Sequence, residues 1–300
     1  MEHPVGADER AHLRGIGLIV TAFALFSVTD ALMKHLSGLY ALPQTVFFTT
    51  VFGMIPILGL AFWQGGLRTL ATRRPGVQVL RSVFGVSAGY FTFYAFTRMP
   101  IADVYAILFT APLIIAALSA LLFRERIDAR RWAAILAGFA GVLTMLRPTG
   151  DIIDPGALAA FASALCFAGS ALVLRHLGRD ETAPSFPFYG NLLAIVVLLP
   201  VLPFVFVLPG PADFALMAAS GLTSGTALCC LLTAFRIAPG PVVAPFQYTQ
   251  MVWGVLFGWL VFGDVPGPRL LAGGAVVIAA GLYLLRREAS AARAPAPEPV

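Results

Sequence analysis

The sequence predicts an all-α integral membrane protein with ten transmembrane helices arranged as two inverted five-helix repeats, both termini cytoplasmic. Three observations carry that prediction. The first is composition: 59% of residues are hydrophobic and 12% are charged, about half of the ~25% charge that a water-facing domain carries. The second is that apolar runs recur near the ~20 residues needed to cross a ~30 Å hydrocarbon core. These runs are continuously apolar and do not alternate with period two, which excludes a porin-like barrel.

The third observation is a repeat. Ala95–Glu125 returns as Ala234–Asp264, with Ala95-Phe96 matching Ala234-Phe235, Pro100 matching Pro239, and Phe123 and Glu125 matching Phe262 and Asp264, all at an offset of 139. Outside that core the offset becomes 141, where Lys34-His35-Leu36 returns as Arg175-His176-Leu177 and Pro43 and Phe47 return as Pro184 and Phe188. Two copies of about 140 residues therefore fill the chain of 300. Each copy reads as five spans, and an odd number obliges the second copy to insert upside down.

Taken in order, residues 1–14 are a polar cytoplasmic segment. It leads into a first span at 15–36 that is too long for a signal h-region and has no small-x-small cleavage site after it. Pro43 opens the span 43–64, and Arg73-Arg74-Pro75-Gly76 turns the chain into 77–98. Pro100 separates that span from 101–123, and 131–147 closes the first repeat, residues 15–147, at Pro148. The second repeat, residues 155–286, contains 155–177, 185–207, 212–236, 240–262 and 269–286. Its breakers are Pro155, Pro209-Gly210-Pro211, Pro239-Gly240-Pro241 and Pro266-Gly267-Pro268. The Ala/Pro-rich 287–300 reads as a disordered cytoplasmic tail.

Basic residues set the orientation, because they concentrate in cytoplasmic loops. With the N-terminus inside, sixteen of the twenty basic residues fall inside and four outside, namely Lys34, Arg98, Arg147 and Arg269. The bias inverts between the copies. Loop 124–131 holds four Arg and its echo 263–270 holds one, while loop 65–76 holds three and its echo 208–211 none. Inverted repeats of this kind are the architecture of secondary transporters, with substrate bound near the midplane between halves.

The residues AFTRMPIADVYAILFTAPL with Phe123, Glu125, Trp132, Gly138, Gly141 and Arg147-Pro148 carry a resemblance, as do Ala234-Phe235, Pro239, Ala244-Pro245, Tyr248, Gly258, Phe262, Asp264 and Gly281. On them the chain resembles the EamA-type ten-helix transporters of the drug/metabolite transporter superfamily, over roughly 15–286. The stretch FSVTDALMKHL is similar to a branch associated with riboflavin and S-adenosylmethionine uptake. The resemblance implies a multi-pass protein of the cytoplasmic (inner) membrane that moves a small organic metabolite.

Charge inside the membrane costs at least ~2.5–3.5 kcal/mol, so Asp30 and Lys34, one turn apart on the first span, are candidate coupling residues. One reading makes them a structural ion pair with Lys34 snorkelling to the interface. The other makes Asp30 a proton carrier or a binder of a substrate amine. Asp103 reads as an acidic first-turn residue, and Glu125, among Arg124 and Arg126, as part of an interfacial cluster.

Polar and aromatic groups at mid-depth are the substrate-binding candidates: Gln247, Tyr248, Gln250 and Trp253 on the ninth span, Tyr90 and Tyr94 on the third, Tyr105 and Phe109 on the fourth, and Asn191 on the seventh. Lipid cannot satisfy the amides and phenols. At ~100° per residue, Gln247, Tyr248 and Gln250 would share one face. Small-residue pairs at Gly85/Gly89, Gly221/Gly225 and Gly254/Gly258 predict close helix contacts, and Pro112 and Pro245 predict breaks that line a pathway.

No catalytic, metal or cofactor site is read from the sequence, and Cys166, Cys229 and Cys230 read as small packing residues. The basic residues sit at helix ends, where lipid headgroups lie. The expected partners are therefore a small-molecule substrate and the bilayer, not nucleic acid, with the chain a monomer or homodimer. A receptor-like or structural membrane protein and an intramembrane enzyme are the alternatives.

Overall fold

The computed structural model describes residues 5–123, 128–146, 154–177 and 184–293. The described chain is helical and has no strand. In order the helices are α1 Val5–Ser37, α2 Leu42–Trp63, α3 Pro75–Phe96, α4 Ile101–Leu108, α5 Ala111–Phe123, α6 Ala129–Leu146, α7 Pro155–Leu177, α8 Ser185–Leu198, α9 Leu202–Val205, α10 Pro211–Ile237, α11 Gly240–Val243, α12 Thr249–Phe262 and α13 Pro268–Arg293. A 3-10 turn, Ala244–Tyr248, joins α11 to α12.

Among the described residues, six stretches are long and apolar enough to cross a membrane: Arg10–Ser37, Leu42–Trp63, Ile101–Leu122, Pro155–Leu174, Pro211–Ile237 and Pro268–Arg286. Trp132–Thr144 and Ser185–Leu198 are apolar but shorter. α3 carries Gln78 and Arg81 buried in its first half, which dilutes its apolar character. The span expected at 240–262 divides into α11, the 3-10 turn and α12. Pro245 lacks the N–H that an unbroken helix needs there.

Two ends differ from the sequence reading. α1 begins at Val5, ahead of the expected 15, and α13 runs on to Arg293 through residues assigned to the tail. Arg286, Arg287, Glu288 and the alanines that follow are good helix formers, so the helix outlasts its apolar stretch. Residues 294–300 lie outside the described residues, as do Arg124, Glu125, Arg126 and Arg147.

The fourth helix of each half breaks in the same place. α4 starts at Ile101 after Pro100, and α11 starts at Gly240 after Pro239, 139 residues on. α5 ends at Phe123 and α12 at Phe262, again 139 apart. At each break a threonine hydroxyl bonds back to the carbonyl three residues earlier: Thr110 Oγ1 donates to Ile107 O, and Thr249 Oγ1 donates to Phe246 O, both at 2.6 Å.

The halves are interlaced. α1 packs along α10 and α3 along α7, while α2 packs on α10 and α3 on α8. Since α7, α8 and α10 are the repeats of α1, α2 and α3, each half lends its third helix to the first two of the other. α6 meets its own repeat α13. A Cβ on Gly138 would lie 3.3 Å from Ala280 Cβ, and one on Gly141 would lie 3.0 Å from Gly273 O. As α6 advances α13 recedes, so these equivalent helices run antiparallel. The largest core cluster sits where the halves meet, around Phe96, Ile101, Tyr105, Phe109, Tyr248, Met251 and Val277.

Candidate functional site

Asp30 lies on α1, facing the seam between α4 and α12, and is 8% exposed. Its carboxylate accepts a hydrogen bond from the Tyr105 hydroxyl, and the Gln250 side chain lies within electrostatic reach of it. Tyr105 is 1% exposed. Its hydroxyl also lies 3.1 Å from Ser27 Oγ, one turn before Asp30, and meets Gln250 as well. Gly254 makes this cluster possible, because any side chain there would run into the Tyr105 ring. A carboxylate in an apolar core is tolerated only when its lone pairs are satisfied, and three elements converge to do that.

Phe109 and Tyr248 extend the site. Their ring centroids are 5.1 Å apart at 68°, an edge-to-face geometry that adds to burial. Tyr248 is itself buried with its hydroxyl against Gly281 of α13. Phe96 packs edge-on to Tyr105 at 5.9 Å, closing the apolar wall on that side.

The structure brings Asp30, Tyr105, Phe109, Tyr248 and Gln250 together. It does not pair Asp30 with Lys34, and that expected ion pair is corrected. Lys34 Nζ lies 2.9 Å from Asp264 Oδ2 and 3.2 Å from Met99 O, with the Phe262 ring 4.7 Å away. Asp264, beyond the end of α12, is the partner of Lys34, while Asp30 is engaged by Tyr105.

Asn191 also belongs elsewhere. Its Nδ2 donates to Thr50 O at 3.3 Å, at the junction of α8 with α2. Gln247 is half-buried in the 3-10 turn, where ~100° per residue does not hold, so the shared helical face expected for Gln247, Tyr248 and Gln250 is not formed. Trp253 on α12 is partly buried, and its indole nitrogen finds no hydrogen-bond partner among the described residues. Tyr90 and Tyr94 are half-buried on α3, the latter with Arg98 at 5.6 Å from its ring.

The sequence reading missed a hydroxyl network beside the site. Thr29 Oγ1 lies 2.8 Å from Thr223 Oγ1, and Thr49 Oγ1 lies 2.6 Å from Ser220 Oγ and 3.1 Å from Met33 Sδ. These buried groups tie α1, α2 and α10 into one body. Serine and threonine inside apolar helices, at 29, 49, 220 and 223, are the signal that would have found them. Ser27 and Asp264 were missed as partners because their contacts join distant segments.

Comparison with known proteins places the chain. The EamA-like transporter family matches it twice, over residues 13–147 and 154–287. An S-adenosylmethionine uptake transporter of Rickettsia felis is 27% identical over 285 residues, covering 94% of this chain and 96% of its own. A riboflavin transporter of Rhizobium johnstonii is 28% identical over 293 residues, covering 96% and 95%. A pseudopaline exporter of Pseudomonas aeruginosa is 29% identical over 276 residues, covering 91% and 96%. A protein of known crystal structure shares the fold with a TM-score of 0.63 at 21% identity, covering 93% of this chain and 99% of its own. With both halves matched and little of the chain left over, this protein belongs to the EamA-like transporter family.

Proposed function

We propose that this membrane transporter carries a small organic metabolite by alternating access, binding it between the halves beside Asp30. The reading takes residues 15–147 and 155–286 as two five-span repeats of opposite orientation, with both termini in the cytoplasm. The inverted loop charges support it, as do the coincident breaks in the fourth helices and the antiparallel packing of α6 on α13.

The observation that carries the site is the buried Asp30 carboxylate, bonded to Tyr105 of one half and within electrostatic reach of Gln250 of the other. A group set between the halves feels any movement of one against the other. Lys34 is engaged by Asp264, so the charge of Asp30 is left to a proton or to a cationic group on the substrate. Phe109, Tyr248, Tyr105 and Trp253 supply aromatic faces, and Gln247 and Gln250 supply amides to orient a ligand. Tyr94 of α3 packs against the same core, one turn on from Tyr90.

The relatives' names point to two substrates with planar heteroaromatic rings, S-adenosylmethionine and riboflavin. The first also carries a positive sulfonium, which suits a site with one carboxylate and several rings. The deciding experiment is uptake by purified protein in liposomes, with flavins, S-adenosylmethionine, amino acids and nucleosides as the panel. Accumulation of none of them above protein-free liposomes, in either direction, overturns the substrate reading.

A further inference from the structure

Asp30 and Lys34 lie one turn apart on α1 and reach across the same seam at two levels. At the lower level, Asp30 meets Tyr105 on α4 and Gln250 on α12. At the upper level, Lys34 meets the Met99 carbonyl, at the corner between α3 and α4, and Asp264, just past α12. Asp103, in the first turn of α4, lies within electrostatic reach of both Lys34 and Asp264. A pocket of about 60 Å³ sits beside this level, lined by Asp103, Gly254, Val255, Gly258 and Asp264.

We propose that Lys34 is the latch of an outer gate. Its ammonium ties the Met99 corner of the first half to Asp264 of the second, and it lets go when the Asp30 site opens to the outside. Three features fit a latch better than a fixed strut. The ammonium is shared between a carbonyl of one half and a carboxylate of the other, so separating the halves removes at least one partner. Lys34 keeps 16% and Asp264 32% of its side-chain exposure. Water is therefore at hand to take up both charges when they part, a release that a dry pair resists. Asp103 offers the ammonium a second carboxylate on the α4 side, so the cation has a resting place on either edge of the seam.

This inference rests on the alternating-access reading, and its test separates the two. In a protein with Cys166, Cys229 and Cys230 replaced by Ala, Val255→Cys reports access to the pocket beside the latch. A membrane-impermeant thiol reagent is added from outside or from inside, and the modification rate is measured. The expected result is slow labelling with Lys34 present and labelling from outside about two- to fivefold faster in Lys34→Gln or Asp264→Asn, the range a partly exposed ion pair supports. The double variant should label no faster than either single one. The exchanged pair Lys34→Asp with Asp264→Lys should return toward the slow rate, which a merely loosened fold would not do. Unchanged rates in both single variants, with normal thermal stability, overturn the latch. Acceleration from the cytoplasmic side alone keeps the latch and overturns the proposed orientation.

Discussion

Phe109 and Tyr248 occupy the same position in their respective repeats, 139 residues apart, and meet edge to face with ring centroids 5.1 Å apart. Equivalent residues touch only where the relation between the halves brings a position onto its own copy. The neighbouring Thr110 and Thr249 make matching 2.6 Å bonds to Ile107 and Phe246. The pair therefore marks where the two repeats meet position on position, in the core cluster that also holds Tyr105.

If that axis lies in the membrane plane, equivalent loops face opposite sides. Ala129→Cys and Val265→Cys are both exposed at the start of α6 and just after α12. An impermeant thiol reagent should label Val265→Cys in intact cells and Ala129→Cys only after permeabilisation. Labelling of both from one side would sink the inverted arrangement.

Much of this fold was legible because the sequence states it twice. Breakers at Pro100 and Pro239 placed the same helix start in both copies, and the structure puts α4 and α11 there to the residue. Long-range pairing was not legible. Asp30 and Lys34 share a helix face, and local spacing favours their ion pair, yet Lys34 goes to a residue 230 positions away. The 3-10 turn at Ala244–Tyr248 was also hidden, because proline signals a break without specifying the geometry that follows.

Asp30→Asn tests coupling. The variant keeps the hydrogen bond to Tyr105 within reach but cannot gain or lose a proton. Uptake should lose its dependence on a pH gradient while substrate exchange across the membrane stays measurable. Unchanged pH-gradient dependence at normal protein levels would return Asp30 to a structural role.

Tyr105→Phe and Gln250→Ala test the site. Tyr105→Phe removes only the hydroxyl that satisfies Asp30 and Ser27 and leaves the ring against Phe96. Where the same groups meet the ligand, each change leaves a buried polar partner short in the complex, a cost of about 1–3 kcal/mol. That cost should appear as roughly ten- to hundredfold weaker substrate binding by calorimetry, about tenfold per 1.4 kcal/mol. Wild-type affinity in both variants, and in Tyr248→Ala, would move the cavity toward Tyr90 and Tyr94 on α3.

Two glycine pairs with identical spacing should behave in opposite ways. Gly85 and Gly89 on α3 have nothing within 4 Å of an added Cβ, so the close contact expected there is absent. A Cβ on Gly221 of α10 would sit 2.6 Å from Thr49 O and 2.9 Å from Gly53 N. These are backbone atoms of α2 that cannot step aside as a side chain can. The same helices are joined there by Thr49 and Ser220, so pushing them apart also strains that bond. Gly85→Ala should hold or raise thermal stability, since alanine is favoured over glycine in a helix by about 1 kcal/mol. Gly221→Ala should lower it by several degrees in detergent, and Thr49→Val should lower it too by removing the Thr49–Ser220 bond between α2 and α10. If Gly221→Ala melts with the wild type while Gly85→Ala falls, the tight seam lies on α3 and not between α2 and α10, and the body built from α1, α2 and α10 loses its support.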